Sequence, residues 1–170
     1  MPLTPEPGHW QLDPARSTVR FRHKTFWGLV TVKGRFSSVS GEGEVSPSGA
    51  ATGTLTVDSA SLSTRLPMRD KHLRSADFLD AENHAAIVFT ARGITPREGD
   101  TVEVEGTLTV RGTTRPLSFT ARAEKADGDA IALRGNAAID REEYGLTWNQ
   151  IGMIRGLTSV AVDLYFAPSA

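Results

Sequence analysis

The stretch that decides the fold is Val102-Glu103-Val104-Glu105-Gly106-Thr107-Leu108-Thr109-Val110. Every even-numbered residue in it is apolar or glycine, and every odd-numbered residue is polar. Successive side chains of a β-strand point to opposite faces of the sheet, so this period of two predicts a strand with one face in a core and the other in water.

The same alternation recurs along the chain and predicts eight or nine strands in total. The links between them are mostly too short for parallel crossovers, which need about a dozen residues, so the strands should form an antiparallel meander. This predicts an all-β barrel or sandwich, and an eight-stranded meander that closes could hold one small ligand inside. The alternation is clear in residues 19–24, 117–123, 131–139 and 160–166, and weaker in residues 29–36, 38–46, 51–58 and 86–94.

The predicted inward faces mix small and large residues, among them Gly106, Ala121, Gly135 and Ala137 beside aromatic and aliphatic side chains. Such a mixture fits a filled, tapering core, which is the commoner arrangement, and it fits a hollow interior equally well. If the interior is hollow, one continuous apolar cavity is expected along Phe21, Phe89, Val104, Leu108, Phe119, Leu133 and Ile139.

Two segments interrupt the alternation. Residues 65–80 are rich in charge, and Pro67 suits the first turn of a helix, so a short helix is predicted across one end of the sheet. Its Leu73 and Phe78 are expected to sit on the sheet as a cap. Residues 141–155 form a long link that carries Trp148, and long loops often bind ligands.

Composition excludes several classes of protein. With 170 residues, one domain over residues 10–167 is expected, preceded by an extended arm over residues 1–9. The chain has no cysteine for disulfides, zinc thiolates or nucleophilic attack, and its net charge of -1 gives no general footprint for nucleic acid. No apolar run reaches the roughly 18 residues of a membrane-spanning helix, and the start lacks signal-peptide features, so a cytoplasmic location is expected.

The polar residues give no pattern typical of catalysis. The four histidines lack metal-ligand spacing, and the chain has no serine elbow or phosphate loop. The sequence therefore predicts no catalytic residue, no metal and no cofactor, and binding in place of chemistry. His23 is expected on the inward face of its strand, as a satisfied core or rim residue and not as a metal ligand. His72 beside Asp70 could act as an oriented base, although a solvated helix face explains these charges more simply.

Five ordered motifs give the chain a family resemblance. From Trp10 to Phe166 it resembles the YceI-like family, bacterial lipid-binding proteins with a lipocalin-like barrel. The motifs are Trp10-Gln11-Leu12-Asp13 with Ser17, Val19 and Phe21; His23 with Val32–Phe36; Arg69-Asp70-Lys71-His72-Leu73-Arg74-Ser75-Ala76-Asp77-Phe78-Leu79-Asp80; Leu108–Leu117; and Asp140–Leu146.

The resemblance implies an eight-stranded antiparallel barrel around an apolar tunnel that holds a polyisoprenoid, a quinone or a similar amphiphile, in a possible homodimer. The alternatives are an enzyme acting on such a lipid, with His23, Asp70 and His72 as acid–base groups, and a stress-related barrel used only for protein contacts. The expected ligand-binding residues are Phe21, His23, Phe36, Leu73, Phe78, Phe89, Val104, Leu108, Phe119, Leu133, Ile139 and Trp148.

Overall fold

The structure is a computed structural model that describes residues 5–25, 30–146 and 157–169, without the side chains of Thr25 and Val30. The described part is built mainly of antiparallel strands, with one short helix and two 3-10 turns, at Ser59–Ser61 and Arg141–Tyr144. No helix in this part is both long and apolar enough to cross a membrane. The elements are β1 Gly8–Leu12, β2 Thr18–Thr25, β3 Val30–Phe36, β4 Val39–Val45, β5 Ala51–Asp58, β6 Leu62–Ser63, α1 Pro67–Arg74, β7 Ala86–Pro96, β8 Thr101–Val110, β9 Thr113–Lys125, β10 Ile131–Ile139 and β11 Thr158–Pro168.

The strands close into an eight-stranded antiparallel barrel, as predicted. Three of the eight strands are broken, because β1 continues into β2, β3 into β4, and β5 into β6. The first broken strand closes the ring by pairing along β11, with Trp10–Leu12 opposite Phe166–Pro168 and Val19 opposite Val162. Closure removes the free edges that an open sheet would expose.

The break between β1 and β2 is held by a side chain. Ser17 Oγ donates to the Asp13 carbonyl oxygen over 2.7 Å and accepts from the Tyr165 backbone N–H over 3.0 Å. The hydroxyl thereby satisfies a backbone group of β11 at the point where neither β1 nor β2 reaches it. This explains the Asp13-x-x-x-Ser17 spacing as a structural device.

The helical segment and the strand faces also agree with the sequence. Helix α1 begins at Pro67, inside the predicted 65–80 segment, and lies across one end of the barrel, which we call the helix end. Strand β8 alternates buried and more exposed residues, as its sequence predicts. In β7 a one-residue register shift between Ala91 and Gly93 breaks the alternation and turns Ile94 inward.

Three phenylalanine rings extend along the barrel wall over glycines of the neighbouring strand. A Cβ atom on Gly34 would overlap the Phe21 ring, one on Gly106 would lie 2.9 Å from Phe89 Cζ, and one on Gly135 would lie 3.0 Å from Phe119 Cε2. The glycines thus supply the space for the ring edges beside the wall, and this keeps the rings away from the barrel axis. The small and large residues on the inward face are complementary, and the interior stays hollow.

The close approach at Gly106 can be tested by adding a methyl group. We expect Gly106→Ala to lower the free energy of unfolding by about 1–3 kcal/mol, the usual cost of overpacking, because the new Cβ would overlap the Thr90 carbonyl oxygen. Gly93→Ala is the matched control, since nothing lies within 4 Å of a Cβ there, and it should change stability by less than about 0.5 kcal/mol. Urea denaturation measures the free energy of unfolding of both variants. Equal losses in the two would contradict a close approach at Gly106 that excludes a Cβ atom.

Candidate functional site

A cavity of about 620 Å³ lies inside the described part of the barrel, within the size range of small-molecule sites. Its wall is almost entirely apolar, and all eight strands of the barrel contribute residues to it. Four phenylalanine rings on the wall form two pairs. The ring centroids are 5.5 Å apart in Phe21 and Phe36, and 5.6 Å apart in Phe89 and Phe119. The alternating faces predicted from sequence therefore surround space in which an apolar molecule fits.

The structure brings together the predicted binding positions along this wall. Trp148 lies outside the described residues, and every other predicted position lines the cavity. Their part in ligand binding stays a prediction. The positions on the cavity wall are Phe21, His23, Phe36, Leu73, Phe78, Phe89, Val104, Leu108, Phe119, Leu133 and Ile139.

The segment after α1 closes part of the helix end with apolar side chains. Phe78 and Leu79 are buried and pack in one cluster with Leu62, Leu108 and Tyr144, while Leu73 is half-buried against the same cluster. Phe78 also makes an edge-to-face contact with His72, at 5.1 Å between ring centroids. Phe78 is thus part of the folded core as well as of the cavity wall, whereas Leu73 lies at its margin.

A buried carboxylate fixes the helix to the barrel. Asp70 accepts hydrogen bonds from the Thr64 backbone N–H over 2.7 Å and from the Thr64 hydroxyl. Arg69 donates to the Thr64 hydroxyl and carbonyl oxygens over 2.8 and 3.1 Å, and Arg74 donates to the Leu62 carbonyl oxygen. We call this set of contacts the Thr64 clamp. It gives Asp70 and both arginines a structural role.

Polar groups on the cavity wall are concentrated at the helix end. His23 Nδ1 lies 2.8 Å from the Thr158 hydroxyl, and His72 Nε2 lies 2.9 Å from the exposed Asp77 carboxylate. Arg141 is buried and donates to the Leu146 carbonyl oxygen over 2.6 Å.

Burial shifts the titration of two groups in the last 3-10 turn. Desolvation lowers the pKa of the Arg141 guanidinium from its usual value, although neighbouring Glu142 and Asp140 oppose this shift. Desolvation, assisted by Glu143, raises the pKa of the Tyr144 hydroxyl. Both side chains line the cavity, so its helix end combines apolar surface with a desolvated cation and a neutral phenol.

Sequence reasoning missed several wall residues. Arg69, Arg141 and Tyr144 lie in stretches without alternation, so period two gave no signal for them, although all three belong to the quoted motifs. Val160 also lines the cavity, and the alternation of β11 could have identified it. Ala121 is only 2 % exposed and faces Gly135, so it packs within the wall.

A family model for the YceI-like domain matches residues 10–167, almost the entire chain. This chain belongs to the YceI-like family. A UPF0312 protein from Vibrio cholerae is 30% identical over 126 residues, which cover 70% of this chain and 67% of that protein.

Two solved structures share the barrel of this YceI-like chain. BcnA from Burkholderia cenocepacia superposes with a TM-score of 0.82 at 21% identity, covering 91% of this chain and 98% of BcnA. A polyisoprenoid-binding domain from Saccharophagus degradans gives a TM-score of 0.74 at 18% identity, covering 94% of this chain and 98% of that domain. At these identities the likeness establishes the fold, and the prediction of a lipocalin-like barrel is confirmed.

The Thr64 clamp of this YceI-like barrel predicts a large stability effect at Asp70. We expect Asp70→Ala to lower the free energy of unfolding by about 2–4 kcal/mol, because it leaves buried Thr64 donors without their charged acceptor. Asp77→Ala removes an exposed carboxylate from the same segment and should cost less than about 1 kcal/mol. Chemical denaturation compares them, and a silent Asp70→Ala would contradict the clamp.

Proposed function

We propose that this protein binds a long isoprenoid lipid, or an amphiphile with a similar tail, inside the barrel and carries out no chemistry on it. The single observation that carries the proposal is the continuous apolar cavity of about 620 Å³ within a closed barrel. A domain from Saccharophagus degradans that has the same fold is a polyisoprenoid-binding domain, which supports the proposed ligand class independently.

The size of the cavity sets a scale for the tail. At about 30 Å³ for each water-sized group, 620 Å³ holds roughly 20 such groups, which matches a chain of about four isoprene units. Burial contributes about 0.8 kcal/mol per methylene before the costs of association and chain ordering. Tail length therefore governs affinity, and an apolar wall distinguishes poorly between tails of one length.

The charges at the two ends of the barrel favour one orientation of an amphiphile. Arg69 and Arg141 line the helix end, whereas the Glu42 and Glu44 carboxylates at the far end lie on the exposed outer face of β4, beside His9. A polar or anionic headgroup is therefore best accommodated at the helix end, with the tail running between the paired phenylalanine rings.

The side chains that could act as acids or bases make contacts within the folded protein. The Asp70 carboxylate belongs to the Thr64 clamp, and His72 contacts Asp77 and Phe78. His23 lies against the Thr158 hydroxyl on an apolar wall. These contacts support binding over catalysis, because a general base needs its reactive atom directed at a substrate proton.

Occupying the cavity with a side chain tests the proposal. Ala137→Trp places an indole on the cavity wall and should weaken the binding of a geranylgeranyl lipid at least tenfold, because the indole takes volume from the tail. Ala138→Trp is the matched control: the residue is exposed on the opposite face of β10, so binding should be unchanged. Fluorescence titration measures both, with denaturation curves to verify folding. Equal affinities in the two variants would contradict the proposal.

A series of prenyl chain lengths tests the size of the site. Affinity should rise by at least tenfold for each isoprene unit added until the chain reaches about four units, because every buried methylene adds hydrophobic stabilisation. Longer tails should then bind with nearly constant affinity, since the cavity is full. Competition titrations with prenyl alcohols give these values, and mass spectrometry of the recovered lipid checks that it is unaltered. Affinity independent of tail length would contradict a tail-binding cavity.

A further inference from the structure

The outer face of the β2–β3 hairpin carries five basic side chains. All five are exposed, and we call this surface the basic face. The register places Arg20 directly opposite Arg35, and Arg22 directly opposite Lys33. Like charges in directly opposed positions destabilise a sheet, so the arrangement has a cost for folding. The residues are Arg20, Arg22, Lys24, Lys33 and Arg35.

Elsewhere on the barrel wall, exposed arginines pair with carboxylates. Arg97 pairs with Glu103, Arg122 with Asp100 and Glu124, and Arg134 with Glu124 and Asp163. In the part of the chain that the structure describes, Arg20 alone on the basic face has such a partner, Asp163 at 3.6 Å. Within residues 5–25, 30–146 and 157–169, no carboxylate lies within 4 Å of Arg22, Lys24, Lys33 or Arg35.

Exposed apolar side chains flank the basic face on both sides at the helix end. Leu66 and Met68, at the start of α1, are 54% and 88% exposed, and their segment follows β6, which pairs with β3. Leu157 is 56% exposed and precedes β11, and β11 pairs with the edge of β2 opposite β3. Cationic groups next to exposed apolar side chains are typical of surfaces that lie on lipid headgroups.

We propose that the basic face, with Leu66, Met68 and Leu157, docks the helix end of the barrel on an anionic bilayer. The cations complement the negative surface of the bilayer, and the apolar side chains enter the boundary between headgroups and acyl chains. A nucleic acid in water offers nothing for the apolar flank, so a bilayer fits both features. The purpose of docking, exchange of a membrane lipid with the cavity, rests on the proposed function; the docking itself does not.

Vesicle binding tests the proposal with ligand-free protein. The wild type should bind vesicles of equimolar phosphatidylcholine and phosphatidylglycerol, and only weakly those of phosphatidylcholine alone. Binding should fall with added salt, which screens exposed charges. The double variant Arg22→Gln with Lys33→Gln should bind anionic vesicles about 25-fold more weakly, at roughly fivefold for each cation. It should unfold at no lower urea concentration than the wild type, because a like-charge pair has been removed.

A matched variant controls for net charge. Arg97→Gln with Arg122→Gln removes two cations from the other end of the barrel and should leave vesicle binding unchanged. If both double variants lose binding equally, or if neither does, the basic face is not the docking surface. Equal binding of the wild type to neutral and anionic vesicles would also overturn the proposal.

A site-specific probe separates docking on a bilayer from attraction to any polyanion. The chain has no cysteine, so Met68→Cys can be labelled uniquely with an environment-sensitive dye. Its emission should shift to the blue on anionic vesicles, whereas the same label at the outward-facing Thr120 of β9 should not respond. A silent Met68 probe together with tight binding to duplex DNA would assign the basic face to nucleic acid.

Lipid binding is then measured separately, in detergent solution with a geranylgeranyl lipid. If docking occurs and the lipid does not bind, the proposed function fails while the docking surface stands. If the lipid binds and vesicles do not, the cavity function stands and the docking surface is wrong.

Discussion

The close approach of phenylalanine rings to glycines on neighbouring strands keeps this barrel hollow. Each ring lies over a residue without a side chain, so its edge takes up space beside the wall. A Cβ atom at Gly34, Gly106 or Gly135 would press on the neighbouring ring, and at Gly106 it would also overlap the Thr90 carbonyl oxygen. These three contacts give the ring edges a place beside the wall.

Two features stabilise the barrel without filling the cavity. The barrel is closed by backbone pairing along β11 and fixed at its helix end by the Thr64 clamp. Neither device requires apolar groups in the lumen. A hollow core makes fewer van der Waals contacts than a filled core. The backbone pairing along β11 and the Thr64 clamp contribute stability in place of some of those contacts. This explains why the most charged motif of the chain, residues 69–80, holds structural contacts although its charges suggest chemistry.

The sequence predicted the strands and the inward faces well, because alternation is a property of each strand by itself. Strand β8 shows this most clearly. Alternation was weaker in β7, where the bulge after Ala91 changes the face on which Ile94 lies. No pattern in the sequence indicates that β1 and β2 share one side of β11, because the break depends on the Ser17 hydroxyl reaching the backbone of a distant strand.

The question of a filled or hollow interior could not be answered from the residues alone. The answer depends on which glycine lies beside which phenylalanine, and this requires the register between strands, for example Phe21 opposite Gly34. The resemblance to the YceI-like family indicated a tunnel, and the register provides its physical basis. The Thr64 clamp was hidden for a similar reason, since only the folded chain shows that Asp70 is buried against a backbone N–H.

The nearly neutral net charge of -1 conceals a local excess of cations on the outer face of the β2–β3 hairpin. Two further cations, Arg69 and Arg141, line the helix end of the cavity. The lumen beyond them is apolar and gives little chemical selectivity beyond tail length. Under the proposed function, selectivity arises at the helix end, where the polar groups of the cavity wall lie, and on the proposed docking surface. Both lie at the same end of the barrel, because the hairpin that carries the outer cations also places His23 on the cavity wall.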